Sequence, residues 1–222
     1  VNTQAGINFR WNEYLTLTGI VNLYYNYVEE TMFIPGMTRQ TIIPQVYGTG
    51  KNKVSNCVTT QDVNTFIAQG TYKRIFNKVH DLNVLASAKM IMKKNEIDIS
   101  EGYNTASDDY QTLNNTNDGK RTYGDLLEWN YMGFNLYGNY TYNNIVRTAL
   151  GLAVDGTSVS GSDASRWGFF PSASATVMLA NMGILPSWVN QLNLTVEGSL
   201  TGNSRFSSNY GKNYYVGNNF FS

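Results

Sequence analysis

The chain has 222 residues, of which 14% are charged and 14% aromatic, and its 16 basic side chains balance 16 acidic ones. Charge well below the usual quarter and the lack of a basic excess exclude a nucleic-acid binder working through a positive patch. A lone cysteine, Cys57, excludes an internal disulfide framework. No run approaches the roughly eighteen apolar residues of a transmembrane helix, but membrane strands stay possible because their alternation averages away in hydropathy.

In chain order, Gln4 to Arg10 predicts a short strand and Trp11-Asn12-Glu13 a tight turn. From Tyr14, Leu15, Leu17, Gly19, Val21, Leu23, Tyr25 and Tyr27 alternate with Thr16, Thr18, Ile20, Asn22, Tyr24 and Asn26. Such a run exceeds the roughly 5 to 6 residues of an ordinary strand and matches the roughly 9 to 11 that cross a tilted path through a bilayer. Tyr24, Tyr25 and Tyr27 fall where an interfacial aromatic girdle belongs, although strand propensity alone also favours Tyr. Residues 28–61 lose the alternation and carry Pro35-Gly36, Pro44, Gly48 and Gly50, which predicts a long loop.

Alternation returns over Asp62 to Phe76, breaks at Asn77-Lys78-Val79-His80-Asp81, and resumes with Leu82, Val84, Ala86, Ala88, Met90 and Met92 against Asn83, Leu85, Ser87, Lys89 and Ile91. Residues 94–124 form a second long polar stretch. The third hairpin sets Met132, Phe134, Leu136, Gly138 and Tyr140 against Gly133, Asn135, Tyr137, Asn139 and Thr141, with the turn at Tyr142-Asn143-Asn144. Its return strand has Val146, Leu150, Leu152 and Val154 on one side, with Thr148 the exception, and Arg147, Ala149, Gly151 and Ala153 on the other. After a loop at about 155–166, Phe169, Pro171, Ala173, Ala175, Val177 and Leu179 oppose Phe170, Ser172, Ser174, Thr176 and Met178. A connection with Pro186 and Trp188 precedes an eighth strand, Leu192 to Thr201, and residues 202–222 read as loop.

Short and long connections therefore alternate. An antiparallel meander with its long loops at one end is the pattern of an outer-membrane barrel, and about eight strands suffice for the smallest one. The alternatives are a soluble sheet with one wet face, such as a secreted glycan-binding sandwich, and a self-contained small pore or adhesin.

Three blocks then carry a family resemblance. They are Asn130-Tyr131-Met132-Gly133-Phe134-Asn135-Leu136 through Tyr142, Arg147-Thr148-Ala149-Leu150-Gly151-Leu152-Ala153-Val154-Asp155-Gly156, and Arg166-Trp167-Gly168-Phe169-Phe170-Pro171-Ser172-Ala173-Ser174. With Trp188-Val189-Asn190-Gln191-Leu192 and Glu197-Gly198-Ser199-Leu200 they resemble, in order and spacing, the barrel of SusC/RagA-type TonB-dependent outer-membrane transporters of Bacteroidetes. Thr157-Ser158-Val159-Ser160-Gly161 departs from the family's more typical Ser-Arg-Phe run. The resemblance implies an all-β, antiparallel transmembrane barrel segment, about eight strands of a barrel of about 22, with plug and remaining strands outside this sequence. It also implies a SusD-like surface lipoprotein and the TonB complex as partners, membrane lipid around the wall, and uptake of oligosaccharides or peptides.

No catalytic or metal-binding constellation stands out, and no cofactor is expected. His80, the single histidine, reads as a turn residue; Asp108-Asp109 lack the spacing of a calcium loop, and Gly48-Thr49-Gly50-Lys51 lacks the rest of a phosphate loop. Tyr103, Tyr110, Tyr123, Phe206 and Tyr210, set among Asn, Asp and Ser in the expected outer loops, are the candidate solute-binding residues, since such groups stack on and hydrogen-bond sugar or peptide. Lys89, Arg147 and Glu197 fall on the face expected to line the lumen, where they would tune solute passage or dock the plug.

Overall fold

A computed structural model describes residues 1–36, 52–158, 165–186 and 188–202. Eight strands form one sheet in strict sequence order: β1 (Asn2–Arg10), β2 (Leu15–Ile34), β3 (Lys53–Phe76), β4 (His80–Tyr103), β5 (Asp118–Tyr142), β6 (Val146–Thr157), β7 (Trp167–Met178) and β8 (Asn193–Ser199). The strands are antiparallel and the sheet is open, with β1 and β8 as its edges. The eight strands thus neither close on themselves, as a small self-contained pore requires, nor divide into the two layers of a sandwich.

β2 to β5 are longer than the alternation suggested. Residues 28–34, 53–61, 94–103 and 118–124, read as loop from the sequence, belong to strands. The reason is that alternation reports an apolar face, whereas a ladder is held by backbone hydrogen bonds and continues where both faces are polar. Residues 155–157, also read as loop, close β6; of the other expected loops, 37–51, 159–164 and 203–222 lie outside the described residues, and one-turn 3-10 segments fall at Leu113–Asn115 and Leu179–Met182.

The chain divides into two units, one comprising Val1–Asn2, Tyr24–Val63 and Lys93–Glu128, the other Thr3–Leu23, Asn64–Met92 and Trp129–Ser222. The second holds all the tight turns. Asn12 Oδ1 accepts from the backbone N–H groups of Tyr14 and Leu15, both at 2.8 Å, which closes the first. The other two hairpins use two-residue loops, Asn77-Lys78 (φ 50° and 62°) and Asn143-Asn144 (φ 46° and 56°), closed by Val79 N–H to Phe76 C=O and Ile145 N–H to Tyr142 C=O. Both central residues at positive φ define the turn whose twist matches paired strands, and Asn tolerates that region better than other side chains. Neighbouring turns are tied together by Asn143 N–H to Val79 C=O (2.6 Å) and Asn181 Nδ2 to Asn144 C=O (2.6 Å). Asn144→Val is expected to destabilise this hairpin by about 1 to 2 kcal/mol, because a β-branched residue resists positive φ, while Asn144→Gly leaves it intact. Denaturant titration of the two variants checks this.

Little is buried in either unit. Among the described residues only Val54 and Ala149 are buried apolar side chains. Leu150, Phe169, Leu194 and Val196 are instead 67%, 62%, 61% and 71% exposed. Among the described residues, then, the large apolar side chains lie at the surface rather than in a core, which calls for a cover.

Candidate functional site

In the second unit the strand register sorts the side chains. Opposed residues share a face, so Leu136, Leu152 and Pro171 form one row, Phe134, Val154 and Phe169 the next, and Val146, Val177 and Leu194 another. Every one of these rows is apolar. On the opposite face run Thr141–Arg147–Thr176–Thr195, Asn139–Ala149–Ser174–Glu197 and Tyr137–Gly151–Ser172–Ser199. Here Thr176 and Thr195 share a hydroxyl hydrogen bond at 2.9 Å, and Arg147 Nε donates to Thr141 Oγ1 at 3.4 Å. Arg147 and Glu197 both belong to this polar face. Lys89 lies two residues along β4 from Ser87, whose Oγ accepts from Asn135 Nδ2 at 3.5 Å, so it belongs there too.

The Arg166 to Ser172 block is explained by these faces. Trp167 lies on the apolar face over Gly156, where an added Cβ would come within 2.8 Å of the indole, and stacks on Phe134 with centroids 6.4 Å apart. On the polar face the Phe170 ring covers Gly168. Arg166 accepts through its carbonyl from Thr157 N–H at 3.1 Å, just before β7 begins. Pro171 sits mid-strand, normally a poor place for a residue without an N–H. Its carbonyl accepts from Leu200, just beyond the end of β8, so the missing donor faces the point where that ladder stops. Where β5 approaches Thr157, Trp129 donates through Nε1 to Thr157 Oγ1 at 3.1 Å and Tyr131 donates to Asp155 Oδ1 at 2.8 Å, their rings stacked at 6.1 Å.

The first unit carries a polar knot instead. Asn52 is fully buried; its Nδ2 donates to Thr105 Oγ1 (2.8 Å) and Asp108 Oδ1 (3.0 Å), and its Oδ1 accepts from Thr105 N–H (2.8 Å). Asp108 also accepts from Gly36 N–H at 3.4 Å, so this carboxylate organises a loop. Asn104, at φ 61°, receives a carbonyl bond from Asn117 Nδ2 and gives its own Nδ2 to Asp118. Among the described residues no group of three or more His, Cys, Asp or Glu is placed to hold a metal ion.

At the loop end of β3, Lys53 Nζ lies 2.6 Å from Glu101 and 5.6 Å from the centre of the Tyr103 ring. The hydrogen bond to Glu101 holds the Lys53 ammonium above its ordinary pKa, against the opposing effect of burial. A raised lysine pKa means that the pair's stabilisation is full up to about 10.5 and is lost as pH climbs past the folded value. Limited proteolysis of the 104–117 segment should therefore stay slow to about pH 10.5 and accelerate above it, an acceleration that Lys53→Met removes.

The described candidate solute-binding residues, Tyr103, Tyr110 and Tyr123, belong to three different elements. Tyr103 closes β4 and is engaged, between Lys53 and Gly119, whose added Cβ would meet its ring at 2.8 Å. Tyr123 is a strand residue of β5, not a loop residue, and is 53% exposed; Tyr110 is in the β4–β5 connection and 54% exposed. Phe206 and Tyr210 lie outside the described residues. His80, read as a plain turn residue, is hydrogen-bonded through Nδ1 to the Tyr140 hydroxyl at 2.6 Å and packs on Tyr142 at 5.2 Å. Neither this contact nor the Asn52 knot had a sequence signal, because their partners lie more than fifty positions away.

Comparison with solved structures identifies this arrangement. A structure of the RagAB peptide transporter superposes with a TM-score of 0.80 at 18% identity, covering 93% of this chain and 23% of the solved one. The RagAB peptide importer in its open-open state gives 0.81 at 19% identity over all of this chain and 24% of the other, and the closed-closed state gives 0.79 at 18%. The sheet matches part of the RagA barrel. RagA is a SusC/RagA-type TonB-dependent transporter, and the chain spans about a quarter of the length of the solved RagA chains. Identity this low establishes the fold that is shared with RagA. No family model and no curated protein matches the chain.

Proposed function

We propose that this chain forms barrel wall and outer connections of an outer-membrane, TonB-dependent importer that takes up oligosaccharides or peptides together with a SusD-like lipoprotein. The observation that carries the reading is the register of β5 to β8, which gathers an apolar face, with Thr148 the exception, on one side and hydroxyls, amides, Arg147 and Glu197 on the other. Lipid against the first face and water against the second satisfies both. The long β3, β4 and β5 strands then cross the bilayer with roughly 9 to 11 residues and carry the remainder, including the Asn52 knot, beyond it. The solved likenesses are complexes of a peptide transporter, which supports an importer over a passive pore.

In this reading the lipoprotein captures the solute outside, the connections near Tyr110 and Tyr123 hold it, and TonB draws on inner-membrane energy to move a plug that lies outside this sequence. The wall supplies no chemistry of its own. Deleting the gene should abolish growth on one oligosaccharide or peptide as sole nutrient, and deleting TonB should give the same defect. Unchanged growth of the gene deletion across both nutrient classes would contradict an importer.

A further inference from the structure

The polar face of β5 to β8 contains a pocket of about 240 Å³ lined by Tyr137, Ala149, Ser172, Ser174, Glu197 and Ser199. In the row Tyr137–Gly151–Ser172–Ser199 the glycine leaves a gap, into which the Tyr137 ring and the Ser172 hydroxyl lean. A Cβ at position 151 would collide with Ser172 Oγ and lie 3.5 Å from Tyr137 Cδ2. The next row brings Ser174 opposite Glu197. Among the described residues nothing pairs with the Glu197 carboxylate; the cation nearest in register, Arg147, is two strands away and donates to Thr141.

We propose that this pocket binds the cationic group of a solute, a guanidinium or an ammonium. The carboxylate supplies the charge, the Tyr137 ring supplies a π face, and the three serine hydroxyls accept the remaining N–H groups. An anion would meet Glu197 and no positive charge, and an apolar group would strand the hydroxyls. The volume falls below the roughly 300 to 1,000 Å³ of pockets that enclose whole small molecules, so it fits one functional group. The proposal rests on the polar face being the water-filled side of the wall, and its test separates the two.

The full-length protein is labelled in outer membranes, in a Cys57→Ser background, with Ser172→Cys as reporter and Leu152→Cys as its apolar-face control. Ser172→Cys should react with a trimethylammonium-ethyl methanethiosulfonate about tenfold faster than with the sulfonatoethyl analogue, the scale of one nearby charge in a partly wet site. Glu197→Gln should bring the two rates together. Argininamide should slow the cationic reagent in the Glu197 protein and not in the Gln variant. A cationic preference that survives Glu197→Gln, or no protection by argininamide, overturns the proposal while Ser172→Cys still labels and Leu152→Cys does not. Labelling of Leu152→Cys instead of Ser172→Cys overturns the underlying assignment of faces.

Discussion

Leu136→Arg is expected to destabilise the folded barrel by about 2 to 4 kcal/mol in a bilayer, and Asn135→Arg by far less. Leu136 lies in an apolar row with Leu152 and Pro171 and is half exposed among the described residues. In lipid, an arginine there must leave its guanidinium in hydrocarbon or distort the bilayer to reach water. Asn135 is one residue away, opposite Ala153, and Phe170 completes its row on the other face. If that face is wet, an arginine keeps its hydration and the change is close to a surface substitution. Denaturant titrations of the full-length protein in phospholipid vesicles compare the two directly. Equal losses would mean that the sheet does not separate lipid from water.

Asn52→Ala is expected to open the β4–β5 connection at a cost of about 1 to 3 kcal/mol for each buried group left without a partner. Asn52 is 0% exposed and makes three side-chain hydrogen bonds at once, to Thr105 Oγ1, Asp108 Oδ1 and the Thr105 N–H. Thr105 is itself buried at 2%, so its N–H cannot turn to water when the acceptor goes. The expected consequence is local: faster amide exchange at Thr105 and faster cleavage within 104–117, with the β5–β6 hairpin unchanged. Asn52→Asp keeps the acceptor but sets a carboxylate against Asp108, so it should open the connection at neutral pH and less so at about pH 4, where carboxyl groups begin to protonate. Exchange at Thr105 equal to that of the native protein would show that the knot holds nothing.

The strand alternation was readable wherever one face had to be apolar. Phe134, Leu136, Leu150, Leu152, Phe169 and Pro171 lie on the face that their period of two predicts, and three of the four positive-φ residues in the loops at Asn77 and Asn143 are asparagines, Lys78 being the exception. The stretches of β2 to β5 next to the long connections were not readable, because polar residues on both faces leave no period while the backbone ladder continues unmarked. Tyr123 was placed in a loop for that reason and belongs to β5. The knot around Asn52 and the gap at Gly151 depend on which distant residue stands opposite, and a single strand's sequence does not contain that. Of the tyrosines chosen by composition alone, Tyr103 packs against Lys53 and Gly119, while Tyr110 and Tyr123 are exposed.

The most direct test of the membrane-wall reading is the intact mass and solubility of the native polypeptide recovered from outer-membrane fractions. The expected species comes out only with detergent, has a mass several times the 24.9 kDa of this sequence, and co-purifies with a lipoprotein. A detergent-dependent species of about 24.9 kDa would contradict the large barrel, and recovery in aqueous buffer without detergent would contradict the membrane wall itself.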